Sequence, residues 1–352
     1  MHSLVSLEAA VAAAIFVSLT LYALMGGADF GGGVWDLLAT GPRAGKQRAL
    51  IAEALAPIWE ANHVWLILCL VLTFVCFPEA FAAIMISLHI PLTLMLIGIV
   101  LRGAAFTFRH YDTQRDDVQQ RWGTIFAISS TFTPVMLGIC AGTIASGRIL
   151  ASNAAPDFFV WLAPFPFAVG AFALVLFAFV AAAYLAAEAT DDDLREDFRK
   201  RALAAAVLLG VIAFVTFGLS FQGAPLIRAG LTDRPWSWPL HILTGVSATG
   251  AMVSLIKGEV FAARLCAVAQ TVFILSGWAV AQFPYLVFPS ITIYNSAAPQ
   301  ATLKAVLAAL IAGLAIVIPS FYVLYRVFKG AQAFSVGSTQ NTMMLKRTDQ
   351  KP

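Results

Sequence analysis

Charged residues are scarce in this sequence: they make up 12% of its 352 residues, about half the share found in soluble domains. Hydrophobic residues account for 60% of the chain, and the mean hydropathy is +0.83. This composition excludes a soluble globular protein, and a net charge of +3 is too small to indicate nucleic-acid binding. The sequence therefore predicts an all-α integral membrane protein.

Cysteine is also rare, with four residues and no C-x-x-C pair, so the spacing indicates neither a metal centre nor a disulfide. Histidine occurs five times. His63 and His89 lie within apolar runs, and their spacing indicates no pair of axial haem ligands. Glu60 and His63 form a single Glu-x-x-His pair, whereas a di-iron bundle needs two. We expect the chain to bind no metal or cofactor directly.

Apolar runs long enough to cross about 30 Å of hydrocarbon as helices recur along the whole chain. We place nine transmembrane helices, most economically packed as two four-helix bundles plus one peripheral helix. They form one transmembrane domain over 1–330, with halves 1–150 and 155–285, a last helix at 303–328 and a flexible tail at 331–352. The predicted spans are 5–28, 54–76, 80–102, 122–145, 160–187, 201–222, 239–256, 260–282 and 303–328.

Basic residues are unevenly divided between the two sides of the predicted membrane. With nine spans, most of the 22 Lys and Arg residues lie in alternate loops and the tail. Basic loops stay in the cytoplasm, which predicts a periplasmic N-terminus and a cytoplasmic C-terminus. The exceptions, on the outer side, are Arg148, Arg228, Arg234 and Lys304.

The run PIWEANHVWLI, from Pro57 to Ile67, puts ionisable groups into an apolar helix. A charged residue at membrane depth costs roughly 2.5 to 3.5 kcal/mol, so such residues usually conduct, bind or pair. Glu53 and Glu60 are seven residues apart, on one face of a continuous helix. They predict a proton path from the cytoplasmic side. The alternative is that Glu60 pairs with a cation such as Arg102.

Asp29 follows the first predicted span, in the glycine-rich segment YALMGGADFGGGVWD. The segment follows a membrane helix rather than a strand and lacks the phosphate-binding lysine, so it is not a nucleotide loop. Its glycines allow another helix to approach closely. Asp29 either caps or pairs at the helix end or takes part in proton uptake, and the sequence leaves both open.

These motifs resemble subunit II of cytochrome bd-type terminal quinol oxidases, including the cyanide-insensitive branch. The resemblance covers the Gly-x-Asp-Phe-x-x-Gly segment around Asp29, and the Pro-x-Trp-acid-x-Asn-x-Val-Trp-Leu segment with Trp59, Glu60, Asn62 and Trp65. VLRGAAFTFR around Arg102 and the segment 283–303 also look like the family. Gly26 and His63 depart from the family pattern, which has an acid and another polar residue there.

The resemblance implies a heterodimer with a haem-bearing subunit I, which holds haem b and haem d and oxidises quinol, the electron donor. Such a complex reduces dioxygen to water in the bacterial cytoplasmic (inner) membrane, surrounded by lipid and in some cases with a small accessory subunit. Glu60 would then pass cytoplasmic protons toward the haem site. By resemblance, Trp59, Trp65, Arg102, Asn62 and His63 lie at the subunit interface or near the haems.

Two rival functions remain from the residues alone. A secondary transporter also carries acids at membrane depth, although the chain lacks a matched pair of interrupted spans in its two halves. A structural or assembly subunit without catalytic residues would use its buried acids only for pairing.

Overall fold

The computed structural model describes residues 6–55, 59–111, 116–149, 157–320 and 322–323, without the side chains of 55, 59–61, 109–111 and 116–120. The described part of the chain is almost entirely helical, as the composition predicts. The first six helices are α1 Leu7–Leu37, α2 Ala44–Leu55, α3 Trp59–Cys76, α4 Pro78–Ser87, α5 His89–Tyr111 and α6 Asp116–Ser146. The next five are α7 Pro164–Glu188, α8 Asp192–Gly223, α9 Pro225–Thr232, α10 Ser237–Lys257 and α11 Val260–Gln282.

The segment after α11 forms a small antiparallel hairpin, in which β1 (Tyr285–Val287) pairs with β2 (Ile291–Thr292). The side chain of Phe288, between the two strands, is buried with Phe165 and Ile227. The chain divides into two compact units, 1–298 and 299–352. The second unit contains a single described helix, α12, Gln300–Ser320.

Within the described residues, eight helices are long and apolar enough to cross a membrane. Helices α3 and α4 are long and apolar enough to cross a membrane only when they are taken together, and the angle between their axes is 118°. Counting this bent pair as one span gives the nine that the sequence predicts. The all-α membrane class is therefore confirmed.

In the first unit, the long helices pack as two neighbouring groups. One group contains α1, α3, α5 and α6, the other contains α7, α8, α10 and α11, and α7 lies against both α1 and α6. The core of the first unit includes the surface between α1 and α7, because the second half of α1 and most of α7 are buried.

Helix α1 continues to Leu37, so the predicted end of the first span at residue 28 is wrong. The glycine run does not break the helix, because it allows close packing against two neighbours. A methyl group at Gly31 would overlap the backbone carbonyl of Phe177 in α7, and one at Gly33 would overlap the side chain of Ser130 in α6. Asp29 consequently lies inside a buried helix rather than at its end.

Replacing Gly33 by Val should destabilise the protein by roughly 1 to 3 kcal/mol or more, the usual range for inserting methyl groups into a packed core. The measurement is the thermal midpoint of the detergent-solubilised protein. Gly210→Val in α8 is the matched control, since a side chain there would meet no atom of this chain within 4 Å. Equal midpoints for the two variants would contradict the close packing of α1 on α6.

The predicted span 80–102 is also wrong, since the helix is interrupted at Leu88 between α4 and α5. Pro91 explains the break: it has no N–H to donate to the carbonyl of Ser87, and its ring clashes with the preceding turn. The membrane-crossing helix therefore begins at His89.

Charged residues that the sequence assigns to an inner loop form the first turns of α8. Asp191 caps this helix, with its carboxylate accepting from the N–H of Asp193 at 2.9 Å. Acids in the first turn and bases further along suit the helix dipole. The polar helix α2, which the sequence did not predict, lies beside them.

Candidate functional site

A buried ion pair joins two spans of the first helical group. Asp29 of α1 is 0% exposed and Arg102 of α5 is 2% exposed, and one terminal nitrogen of Arg102 contacts the Asp29 carboxylate. The Nε of Arg102 donates to the hydroxyl of Ser130 in α6 at 2.9 Å. Three helices are thus tied together at one point inside the apolar core.

The guanidinium of Arg102 is also enclosed by aromatic rings. Its Cζ lies 4.7 Å from the ring centroid of Phe30 and 5.1 Å from that of Phe126. Arginine suits this position, because its planar cation stacks on rings while it donates to oxygen.

A second polar group lies beside the ion pair, between α1 and α3. The ring of His63 is 6.1 Å from that of Tyr22 and 6.3 Å from that of Phe30. The Tyr22 hydroxyl and the Nδ1 of His63 are both buried and have no protein hydrogen-bond partner. Gly26 leaves space for the ring of Tyr22, because a methyl group at this position would lie 3.0 Å from that ring.

Asn62 precedes His63 in α3 and is fully buried. Its side-chain nitrogen donates to the carbonyl of Met25 in α1 at 3.2 Å, while its side-chain oxygen has no protein partner. Buried polar atoms are rarely left unpaired in native proteins. The region between α1 and α3 therefore contains several polar atoms with unused hydrogen-bonding capacity.

The predicted proton-path residues fall in three different places. Asp29 is in the ion pair, and Glu53 is exposed on α2. Glu60 lies in α3, but its side chain is outside the described part, as is that of Trp59. Because residues 56–58 are also outside it, the common helical face of Glu53 and Glu60 stays a prediction.

The residues predicted near the interface or haems are mostly interior. Arg102 and Asn62 are buried within the chain, and Trp65 is partly buried against the core. Arg102 can therefore affect a partner subunit only through other residues of this chain. The alternative pairing of Glu60 with Arg102 stays a prediction, because the Glu60 side chain is outside the described part; the described contacts of Arg102 are with Asp29 and Ser130.

One end of the helical groups carries a network of ion pairs. Arg43, after α1, makes two hydrogen bonds of 2.9 and 2.6 Å to Asp197 of α8, and these raise the pKa of Arg43. Lys46 of α2 lies 3.5 Å from Asp191. The backbone N–H of Asp193, donating to Asp191, holds the pKa of that carboxyl below its ordinary value.

The same end includes the other helix termini predicted to lie inside. Arg199 of α8 donates to the carbonyl of Leu255, near the end of α10, at 2.6 Å. Arg264 of α11 pairs with Glu188 at the end of α7, at 3.1 Å. The ends of α1, α7 and α10 and the beginnings of α2, α8 and α11 therefore meet on one face, which we call the charged face.

The described histidines contact backbone carbonyls or aromatic rings, and the absence of a haem ligand in this chain stays a prediction. His89 Nδ1 lies 3.0 Å from the carbonyl of Ile86, and His241 Nε2 lies 2.9 Å from that of Leu231. The ring of His63 packs between Tyr22 and Phe30. Within the described ranges, no group of three or more His, Cys, Asp or Glu side chains is placed to hold a metal ion.

Sequence reasoning missed Tyr22, Phe30, Phe126 and Ser130, which surround the buried charges. Their residue types are ordinary for membrane helices, so composition gives no signal. The pairing of Asp29 with Arg102 did have a signal, since both residues interrupt apolar runs. It was hidden by the prediction that α1 ends before Asp29.

The fold and the buried polar site define a multi-span helical membrane protein. The family described as cytochrome bd terminal oxidase subunit II matches residues 7–328, and the chain belongs to this family. Its homologues are subunits of a terminal quinol oxidase, an oxidoreductase of the respiratory chain. The family places haem and quinol in the whole complex and implies a subunit I partner.

Individual relatives agree with this assignment. The chain is 23% identical to the putative cytochrome bd menaquinol oxidase subunit II of Bacillus subtilis, covering 92% of this chain and 96% of the relative. It is 25% identical to the cytochrome bd-I ubiquinol oxidase subunit 2 of Escherichia coli over 37% of this chain and 34% of that protein. The bd oxidase structure from Geobacillus thermodenitrificans shares the fold, with a TM-score of 0.76 at 22% identity, covering 92% of this chain and 98% of that one.

Proposed function

We propose that this chain forms a heterodimer with the haem-bearing subunit I of a quinol:dioxygen oxidoreductase and supplies its cytoplasmic proton route. Haem b and haem d belong to subunit I, where they transfer electrons from quinol to dioxygen. This chain's own task is to bring protons across half of the membrane.

The charged face is the single observation that carries the orientation. It gathers the basic residues of the loops between α1 and α3, α7 and α8, and α10 and α11, while Arg148 and Arg228 lie at the opposite helix ends. Basic segments are retained in the cytoplasm. The charged face is therefore cytoplasmic, with the N-terminus in the periplasm and the C-terminus inside.

Glu60 begins the route. It lies in α3, which follows the polar helix α2 in the chain, and Gln47 of α2 accepts a hydrogen bond from Arg201 on the charged face. An acid at this position is close to cytoplasmic water, and its helix leads inward beside α1. Glu53, exposed on α2, lies on the approach from the cytoplasm, and Asp29 provides the counter-charge for Arg102 deeper in the subunit.

The transporter alternative is not favoured, because the family match covers nearly the whole chain and no matched pair of broken spans occurs in the described residues. A purely structural subunit would leave Glu60 without a role. The proton route and the structural alternative differ in one measurable respect, the dependence of turnover on that acid.

Gentle isolation of the tagged chain from membranes of its own host tests the heterodimer. We expect a haem-bearing partner to co-purify and the preparation to show quinol-dependent oxygen uptake. The optical spectrum of the preparation identifies haem b and haem d. A chain that purifies without a haem-bearing partner, from membranes where its deletion leaves quinol-dependent oxygen uptake unchanged, would contradict the proposal.

A further inference from the structure

Four buried polar groups lie together next to the expected position of Glu60. They are the hydroxyl of Tyr22, the side-chain oxygen of Asn62, the Nδ1 of His63 and the carboxylate of Asp29, and the first three have no hydrogen-bond partner within the described protein. Asp29 is held by its ion contact with Arg102. A buried polar atom without a partner costs roughly 1 to 3 kcal/mol, so three in one region need an explanation.

Their arrangement follows the two helices. Asn62 and His63 are consecutive in α3, while Tyr22 and Asp29 are seven residues apart on one face of α1, about 10 Å along its axis. The ring of Tyr22 covers Gly26, where a side chain would otherwise separate Tyr22 from Asp29. The polar groups therefore line a path along the contact between α1 and α3.

Internal water is the ligand that satisfies such groups. A buried water molecule typically makes about three hydrogen bonds to otherwise unsatisfied polar atoms. Hydroxyl, amide oxygen, carboxylate and imidazole nitrogen together offer both donors and acceptors. Apolar ligands would leave the polar atoms of Tyr22, Asn62 and His63 unpaired.

His63 is the imidazole of this path, and its Nδ1 has no protein hydrogen-bond partner. It follows Glu60 by three residues in α3, a spacing that places the two Cα positions on one face of a helix. Asp29 is already engaged with Arg102. An imidazole can accept a proton at one nitrogen while it releases another from the second nitrogen, and its net charge is then unchanged.

We propose that Tyr22, Asn62, His63 and Asp29 bind a chain of internal water molecules between α1 and α3, and that His63 relays protons along it. The inference rests on the proposed proton route from Glu60 and adds its next step. A proton leaves the Glu60 carboxyl for water or for one nitrogen of His63. The other nitrogen then releases a proton to the next water, and Glu60 is reprotonated from the cytoplasm.

The test compares His63→Gln with the unmodified holo-complex. Glutamine keeps polarity and much of the volume but cannot titrate, so we expect a roughly tenfold fall in oxygen-reduction turnover at saturating quinol, equal to about 1.4 kcal/mol. The solvent deuterium isotope effect should rise, which a purely structural role would not cause. The haem spectrum should stay unchanged, and Tyr22→Phe should show a smaller fall of the same kind.

His89→Gln is the matched control, since His89 is a membrane histidine that contacts only the carbonyl of Ile86 and the ring of Phe158 in the described structure. It should retain full turnover. Normal turnover and isotope effect in His63→Gln, with Glu60→Gln slowed, would overturn the relay and leave the proposed route intact. Normal values in both variants would overturn the proposed route itself.

A density map of the unmodified complex gives a second test that does not depend on variants folding. We expect water within about 3 Å of the Tyr22 hydroxyl and of His63 Nδ1. A tightly packed region without water between α1 and α3 would overturn the proposal.

Discussion

Glu60→Gln should slow quinol-dependent oxygen reduction by about tenfold or more, while the complex assembles and keeps its haem content. Glutamine is nearly isosteric with glutamate but cannot carry a proton, and each tenfold loss corresponds to about 1.4 kcal/mol in the barrier. General acid–base groups typically contribute 100-fold or more, so water that partly replaces the acid would still leave a measurable loss. Oxygen uptake by the purified complex, at saturating quinol, is the measurement.

Two further variants separate a proton-route defect from a general one. Glu60→Asp keeps the acid and should retain much of the activity. Glu79→Gln removes an exposed acid from α4, at the opposite end of α3 from Glu60, and should leave turnover unchanged. Wild-type rates in Glu60→Gln would reduce this acid to a structural group.

The approach to Glu60 can be examined in the same assay. Glu53 is exposed on α2, where bulk water also supplies protons, so Glu53→Gln should lower turnover only slightly. A loss as large as that of Glu60→Gln would place Glu53 within the path itself.

Composition and apolar run length were enough to predict the membrane class, because the bilayer sets both the length and the polarity of a spanning helix. Helix ends were predicted less well. The glycines after residue 25 look like a stop signal in sequence, yet tight packing on Phe177 and Ser130 keeps them helical. The break at Leu88 follows from Pro91, but a long apolar run on both sides concealed it.

Part of the site could also be predicted from the sequence, because the bilayer constrains polarity as well as helix length. Asp29, Glu60, His63 and Arg102 stand out because polar residues are costly at membrane depth. Which of them pair depends on how α1 and α5 are rotated and how far α1 extends. Neither quantity is encoded in local spacing, so the ion pair between Asp29 and Arg102 emerged only from the packed structure.

Asp29→Asn should destabilise the subunit strongly, by about 3 to 5 kcal/mol, which is the usual cost of leaving a buried charge without its partner. The cost falls on Arg102, which is 2% exposed and whose described partners would then be the Ser130 hydroxyl, two aromatic faces and a neutral amide oxygen in place of the carboxylate. The measurement is the free energy of unfolding of the detergent-solubilised protein, or its thermal midpoint. Asp192→Asn is the control, because its ion pair with Arg195 is on the surface, and it should change the midpoint little.

The double variant Asp29→Leu with Arg102→Met distinguishes the charge pair from simple packing. Removing both charges together often restores stability or improves it, since the two desolvation costs disappear with the attraction. We expect the double variant to be more stable than Asp29→Asn alone. It should also retain turnover if Asp29 acts only as a counter-charge, and lose it if protons pass through that carboxylate. A double variant as unstable as the single one would instead show that three-helix packing around Ser130 depends on the guanidinium itself.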